Sequence, residues 1–237
     1  MVKKSVSQKS RILEPYTEYL AREWEMFAED PSRQEALLDA ASGRKVETVL
    51  DIGCGAGQEM LPFVSSGAQG FGMDLSQAAG HVLREMYTRA DMTDKARFIQ
   101  ASGTNIPFPD DYFDVVICRG ALMYMDNRMA LSEIWRVLKC QGVLLLKYHE
   151  PGYYWKKLKD GIVQWEPKSS VHAARVLLAG YFYYFTGRQP FNRITAKGEI
   201  FQTGRTIQRE LSLFEASIRP NSSDSNVLAP SLIITKH

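Results

Sequence analysis

Cysteine is scarce in this chain: Cys54, Cys118 and Cys140 are the only three among 237 residues, and no two form a CxxC pair. Three thiols cannot all pair with one another, so a disulfide scaffold is excluded and reduced thiols in a cytoplasmic protein are expected. An excess of one charge is also missing. Lys and Arg number 29 against 27 Asp and Glu, a net of +2, so there is no global basic field and no nucleic-acid partner is expected. The four histidines are scattered and repeat no acid–His spacing, so no metal site is expected. Long apolar runs are lacking too. The densest, Val176 to Phe185, is about half of what a bilayer span needs, so no transmembrane segment is expected. The stretch from Met1 to Arg11 is polar and basic without the apolar core of a secretory signal.

What is present reads as a folded α/β protein. Hydrophobic residues make up 45% of the chain and charged residues 24%, which excludes a disordered, collagenous or coiled-coil chain. Tyr16, Tyr19, Leu20, Glu23, Trp24 and Phe27 recur at helical spacings, and Asp30-Pro31 breaks that helix and starts another ending near Gly43. From Val46 to Ile52 the pattern changes to a short β-branched run that suits a buried parallel strand. Strands are then predicted at 69–74, 96–101, 113–118 and 143–148, alternating with helices at 58–65, 76–90 and 128–138. That alternation predicts right-handed crossovers and an open, doubly wound, mostly parallel sheet. Residues 150–193 read as an aromatic insertion of irregular pattern after the fifth strand, expected to form a helical lid. A helix near 203–211 and strands near 214–218 and 228–235 complete the sheet. The expected organisation is one domain over 1–237. It comprises an N-terminal helical cap (1–43), a ligand-binding core (44–149), a lid insertion (150–202) and the sheet completion (203–237).

The chemistry is carried by Val49-Leu50-Asp51-Ile52-Gly53-Cys54-Gly55-Ala56-Gly57, between the first strand and the first crossover helix. Its glycines allow a sharp turn and a close backbone approach to a ligand. Seventeen residues after Gly57, Asp74 closes the second strand, where a carboxylate can accept both hydrogen bonds of a ribose diol. A plain tight turn and a solvated Asp are the bland readings, but strand, glycines, helix, strand and acid in this order favour a nucleoside. The dinucleotide fingerprint wants Gly-x-Gly-x-x-Gly, whereas here the spacing is Gly-x-Gly-x-Gly and Gln58 holds the sixth place. Asp51, just before the glycines, would repel a pyrophosphate but suits an ammonium group. Both features favour a zwitterionic, phosphate-free nucleoside.

This motif resembles the first motif of the class I S-adenosylmethionine-dependent methyltransferases, of the small-molecule type 11 group. Gly72-Met73-Asp74-Leu75-Ser76, then Asn105-Ile106-Pro107-Phe108-Pro109-Asp110 leading into Phe113-Asp114-Val115-Val116, and Glu133-Ile134-Trp135-Arg136-Val137-Leu138-Lys139 before Gly142 match the same pattern in order. The resemblance covers residues 46 to 148. It implies a Rossmann-like seven-stranded sheet whose last strand is antiparallel, and S-adenosyl-L-methionine as cofactor over the first, second and fourth strands. It also implies roles. The backbone of Gly53, Cys54, Gly55 and Gly57 lines the methionine part, with Asp51 supporting the loop or the ammonium. Asp74 grips the ribose and Leu75 packs on the adenine. Ser102, Gly103 and Thr104 edge the adenine, and Arg119 and Gly120 floor the methionine end. Ser102 stands where the family usually has an acid, so that bond is neutral and weaker unless Thr104 substitutes. Lys139-Cys140-Gln141-Gly142 replaces the common Pro-Gly turn.

The resemblance implies methyl transfer to a small-molecule acceptor by in-line displacement. The alternatives are a nicotinamide-dependent Rossmann oxidoreductase and a non-catalytic domain that binds the same cofactor. A general base is needed only for an acceptor that must shed a proton. His149, after the fifth strand, is the candidate base; otherwise it hydrogen-bonds its loop. Tyr124, Tyr153 and Tyr154 are candidate acceptor walls. From Lys168 to Arg219 eight Lys or Arg face three Glu, a local +5. Arg175, Arg188 or Arg193 would pair an anionic group on an apolar acceptor. The segment from Val171 to Phe185, apolar nearly all round, is either a packed lid helix or a contact for something greasy.

Overall fold

The computed structural model describes residues 10–41 (side chains from 15), 44–190, 198–222, 224 and 226–237. They fall into two compact units, residues 1–102 and 103–237.

The first unit runs α1 (Ser10–Ala28), α2 (Pro31–Ala40), β1 (Thr48–Ile52), α3 (Leu61–Ser65), β2 (Gln69–Asp74), α4 (Gln77–Arg89) and β3 (Ala96–Gln100). Asp30 caps α2: its Oδ1 accepts from the Arg33 N–H at 3.1 Å, and Pro31 fills the first helical position. β1 is buried from Val49 onward, as a central strand of a two-sided parallel sheet should be. It pairs parallel with β2 (Asp51 opposite Gly72), and β2 pairs parallel with β3 (Asp74 opposite Gln100). Two small residues let α4 sit close to these strands. A Cβ on Gly72 would stand 2.4 Å from Leu83, and one on Gly80 would stand 2.3 Å from the Phe98 ring. The Trp24 ring meets Tyr87 edge-on at 5.1 Å, which packs α1 against α4.

The second unit runs β4 (Phe113–Arg119), α5 (Asn127–Val137), β5 (Leu138–Lys147), α6 (Pro151–Val163), α7 (Pro167–Thr186), α8 (Gly204–Leu211), β6 (Ala216–Pro220) and β7 (Ser231–Lys236). β4 pairs parallel with β5, and β7 lies antiparallel to both β5 and β6. The strands of the chain form a seven-stranded, mostly parallel α/β sheet with an antiparallel final strand, the Rossmann-like class expected from the sequence.

Three local expectations change. The turn expected at Lys139–Gly142 lies within β5, where the register jumps from Phe113↔Leu138 to Val115↔Val143. The lid insertion is helical as expected, but what reads as an irregular pattern is two regular helices over its described residues. It is a helical hairpin, and Pro151 and Pro167, each at the first position of a helix, are its start signals. Tyr154, Val176, Leu177 and Phe201 form its core, and Gly180 admits the Phe201 ring. Ser76 precedes α4 without a side-chain cap, and its N–H donates to Asp74 Oδ1 at 2.8 Å.

Candidate functional site

The loop after β1 is built by backbone conformation. Gly53, Gly55 and Gly57 have φ of 69°, 53° and 77°, in the left-handed region where a side chain is strained. The Met73 carbonyl at the end of β2 accepts from Gly53 N–H at 2.7 Å and Cys54 N–H at 3.1 Å, which ties the loop to the neighbouring strand. The Gly55 N–H donates to Asp74 Oδ2 at 3.3 Å. With Ser76 on the other oxygen, the Asp74 carboxylate is fixed at the lip of the loop. Leu75 beside it is 70% exposed, an apolar surface next to an oriented acid. From below, Tyr87 Oη donates to the Gly57 carbonyl at 3.0 Å. Asp51 is buried under the loop. Burial, then the charges of Asp51 and Asp74, push the Cys54 thiol well above its ordinary value, so it stays a neutral packing group. The structure thus brings Asp51, Gly53, Cys54, Gly55, Gly57, Asp74 and Leu75 together. An exposed Gly53 backbone, an oriented carboxylate and a bare leucine fit the three parts of an adenosyl amino acid.

Sequence reasoning missed what lies over this loop. A Cβ on Gly55 would come within 3.0 Å of Leu20 of α1. One turn earlier in α1, the Tyr16 hydroxyl is pushed up to about 12 by burial, by Asp74, by Cys54 and by Tyr19. α1 therefore brings the aliphatic Leu20 side chain against the loop, with the 39%-exposed phenol of Tyr16 near enough to feel the charge of Asp74. The helical spacing of Tyr16 and Leu20 was visible, but nothing in it says what their face covers.

In the second unit, Gly103 is buried and Thr104 half-buried, ahead of the Asn105–Asp110 segment; Ser102, the last residue of the first unit, is half-buried after β3. α5 straps that segment down. Glu133 Oε2 accepts from the Ile106 N–H at 2.8 Å, while Arg136 donates to the Ile106 and Phe108 carbonyls at 2.9 and 2.7 Å. Arg136 also holds the Glu133 carboxyl below its ordinary value. The Arg119 guanidinium is buried against Asp224, whose other oxygen takes Lys147 at 3.0 Å. Burial raises the Asp224 carboxyl, but Arg119 and then Lys147 outweigh it and bring it to about 2. Gly120 (φ 69°) has open space where a Cβ would stand.

The acceptor candidates gather after β5. The His149 ring stacks on Tyr153 at 4.0 Å and meets Tyr154 edge-on at 6.2 Å. Its backbone carbonyl accepts from Gln202 N–H at 3.1 Å, while its buried Nδ1 has no hydrogen-bond partner among the described residues. Burial, Lys147 and Lys157 all lower its pKa, so the neutral ring is the form at pH 7. Tyr154 is fully buried and donates to Glu199 Oε1 at 2.9 Å; Glu199 Oε2 meets His172 at 3.1 Å. Tyr124 is exposed. Arg175 and Arg188 are exposed, on α7 and just after it. Arg193 lies outside the described residues. Glu199 and Gln202 were not singled out in the sequence, because no motif surrounds them.

A Rossmann-like sheet whose first strand ends in this glycine loop and whose second ends in this carboxylate is an arrangement that class I S-adenosyl-L-methionine-dependent methyltransferases share with dinucleotide-binding folds. Residues 50–146 match the family model described as "Methyltransferase domain", and S-adenosyl-L-methionine is the cofactor of that family. The uncharacterized methyltransferase YcgJ of Bacillus subtilis (strain 168) is 35% identical over 114 residues, which is 48% of this chain and 45% of that protein. The ubiquinone/menaquinone biosynthesis C-methyltransferase UbiE of Pectobacterium atrosepticum is 30% identical over 119 residues, 48% of this chain and 47% of that protein. The chain thus spans about half the length of the relatives it matches. A crystal structure from Methanococcus maripaludis, provisionally assigned as an S-adenosyl-L-methionine-dependent methyltransferase, superposes with a TM-score of 0.60. It covers 100% of this chain and 96% of that one at 16% identity, a likeness of fold.

Proposed function

We propose that the protein is an S-adenosyl-L-methionine-dependent methyltransferase that moves a methyl group to a small-molecule acceptor by in-line displacement, in the cytoplasm. The observation that carries this reading is the Asp74 carboxylate, hydrogen-bonded to Gly55 of the glycine loop and flanked by the exposed Leu75. When bound, the cofactor supplies an electrophilic methyl group on a sulfonium whose leaving group departs neutral. What is left to the chain is binding, orientation and exclusion of water. In this reading the backbone of Gly53 to Gly57 holds the amino-acid end, Asp74 accepts from the ribose hydroxyls, and Leu75 covers the adenine. Ser102, Gly103 and Thr104 edge the base, and Gly120 leaves room for the methionine end. Arg119 contributes its backbone there, since its guanidinium is engaged by Asp224.

On the acceptor side, His149 Nδ1 is a buried lone pair or N–H in search of a partner on a ring held neutral at pH 7. In the tautomer whose lone pair is on Nδ1, that nitrogen takes the proton of an acceptor O–H as the new bond forms. Tyr153 fixes the ring plane by stacking, and Tyr124 and Tyr154 add aromatic wall. An apolar acceptor with an anionic or acidic oxygen suits these groups, and a relative named for quinone biosynthesis supports that class.

Titration calorimetry with S-adenosylhomocysteine and, separately, NAD tests the cofactor. Heat with the former alone is expected; binding of NAD alone would place the chain among the oxidoreductases. Single-turnover transfer of a labelled methyl group to phenols and quinols then tests for an enzyme, and bound cofactor without transfer to any acceptor supports a binding domain.

A further inference from the structure

The segment from Val171 to Phe185 is helical, as the core of α7, but it is not a packed helix on all sides. One face, with Ala173, Val176, Leu177 and Tyr183, is buried. The opposite face carries Val171, Arg175, Leu178, Phe182 and Phe185, all exposed, at spacings of four, three, four and three. That spacing keeps them on one stripe about 21 Å long. Exposed apolar side chains in a continuous stripe mark a contact surface. The cations at the stripe have no carboxylate on the helix itself, and the nearest in sequence is Glu166 at its N-cap. From Pro167 to Pro190 the sequence has Lys168, Arg175 and Arg188 and no Asp or Glu.

The tip of the α6–α7 hairpin adds an independent observation. α6 ends with the Glu166 N–H on the Gly161 carbonyl at 2.8 Å and the Trp165 N–H on Ile162 at 3.3 Å. This pairing wants a glycine in the left-handed conformation after the helix. The residue there is Trp165, at φ 55°, and it is 91% exposed. The chain therefore carries backbone strain at this position and buries nothing by it, while Val163 alongside is also bare. A tryptophan held out on a strained turn beside an apolar, cationic helix face is a combination suited to a lipid interface.

We propose that this hairpin, through Trp165 and the outer stripe of α7, docks the protein on an anionic lipid surface. The helix lies along the interface; among the described residues no helix is long and apolar enough to cross it. A second copy of the chain fits the stripe poorly. Paired symmetrically, α7 would set Arg175 and Lys168 against cations with no carboxylate of the helix to meet them.

The test uses the whole chain and extruded vesicles of phosphatidylcholine, with or without about one-third phosphatidylglycerol. The protein is expected to sediment with the anionic vesicles and to be released as salt is raised. Arg175→Gln is expected to weaken this roughly fivefold. Trp165→Gly and Leu178→Ser are expected to weaken it by about tenfold or more. Trp165→Gly relieves the turn, so its melting temperature should equal or exceed that of the parent, which separates lost docking from lost folding. The proposal is overturned by three results: no sedimentation with anionic vesicles, binding indifferent to these three substitutions, or a dimer in sedimentation velocity that Leu178→Ser dissolves. Cofactor titration reads none of these, so the proposed function stands or falls separately.

Discussion

Asp74 accepts a backbone N–H on each carboxylate oxygen, from Gly55 and Ser76, and each oxygen retains a second lone pair. Those remaining positions are what a ribose diol would use. Asp74→Asn keeps the shape but replaces charge-assisted bonds with neutral ones, so S-adenosylhomocysteine should bind about tenfold more weakly by calorimetry. At His149 the consequence is in the pH dependence. Its folded-state pKa is lowered by burial, Lys147 and Lys157, so the unfolded chain binds the proton more readily. Stability therefore rises with pH between the lowered folded value and about 6.5, the ordinary histidine value, and is lost as the solution is acidified through that window. Urea midpoints at mildly acidic and neutral pH should differ more in the parent than in His149→Gln. Equal slopes would show the ring to be solvated like any surface histidine.

At the scale of elements, α5 works as a clasp. Arg136 donates to two carbonyls of the Asn105–Asp110 segment and to Glu133, which in turn accepts from Ile106. Arg136→Ala strips these partners together and should cost roughly 2 kcal/mol, read as a lower urea midpoint with an unchanged slope. The sequence motif containing Glu133 and Arg136 was legible; its purpose was not, because the bonds to the Asn105–Asp110 segment cross 27 to 30 residues. The same distance effect hid the pairing of Arg119 with Asp224, 105 residues apart. The glycine loop, by contrast, was readable down to single residues, since left-handed backbone leaves a local mark in composition. The lid was legible as helical, but the bounds of α6 and α7 were not, because α7 is apolar on both its buried and exposed faces, which blurs the periodicity that marks where a helix starts and stops. The contact of Leu20 with the glycine loop was invisible for a different reason: a helix face can be read from sequence, but its partner is a tertiary fact.

For the molecule as a whole, ligand linkage joins the local readings. A ligand that binds only the folded chain stabilises it by about 2.7 kcal/mol at a hundred times its dissociation constant. In a chain of this size that corresponds to a rise in melting temperature of about 5–10 °C. S-adenosylhomocysteine should produce such a shift and NAD should not. Hydrogen exchange locates the source. The N–H groups of Gly53 and Cys54 are already held by the Met73 carbonyl, so their protection should be high before ligand is added. The gain should instead fall on exposed backbone between them and Leu75, and on α1, whose Leu20 packs on the loop and whose Tyr16 stands near it. Tyr16→Phe removes one hydroxyl near the loop without opening a cavity. If α1 belongs to the binding site, this variant retains its unliganded melting temperature within about 1 °C but loses part of the ligand-induced rise. An undiminished rise, with α1 exchanging as freely as before, would confine the cofactor site to the strand ends and leave α1 a structural role only.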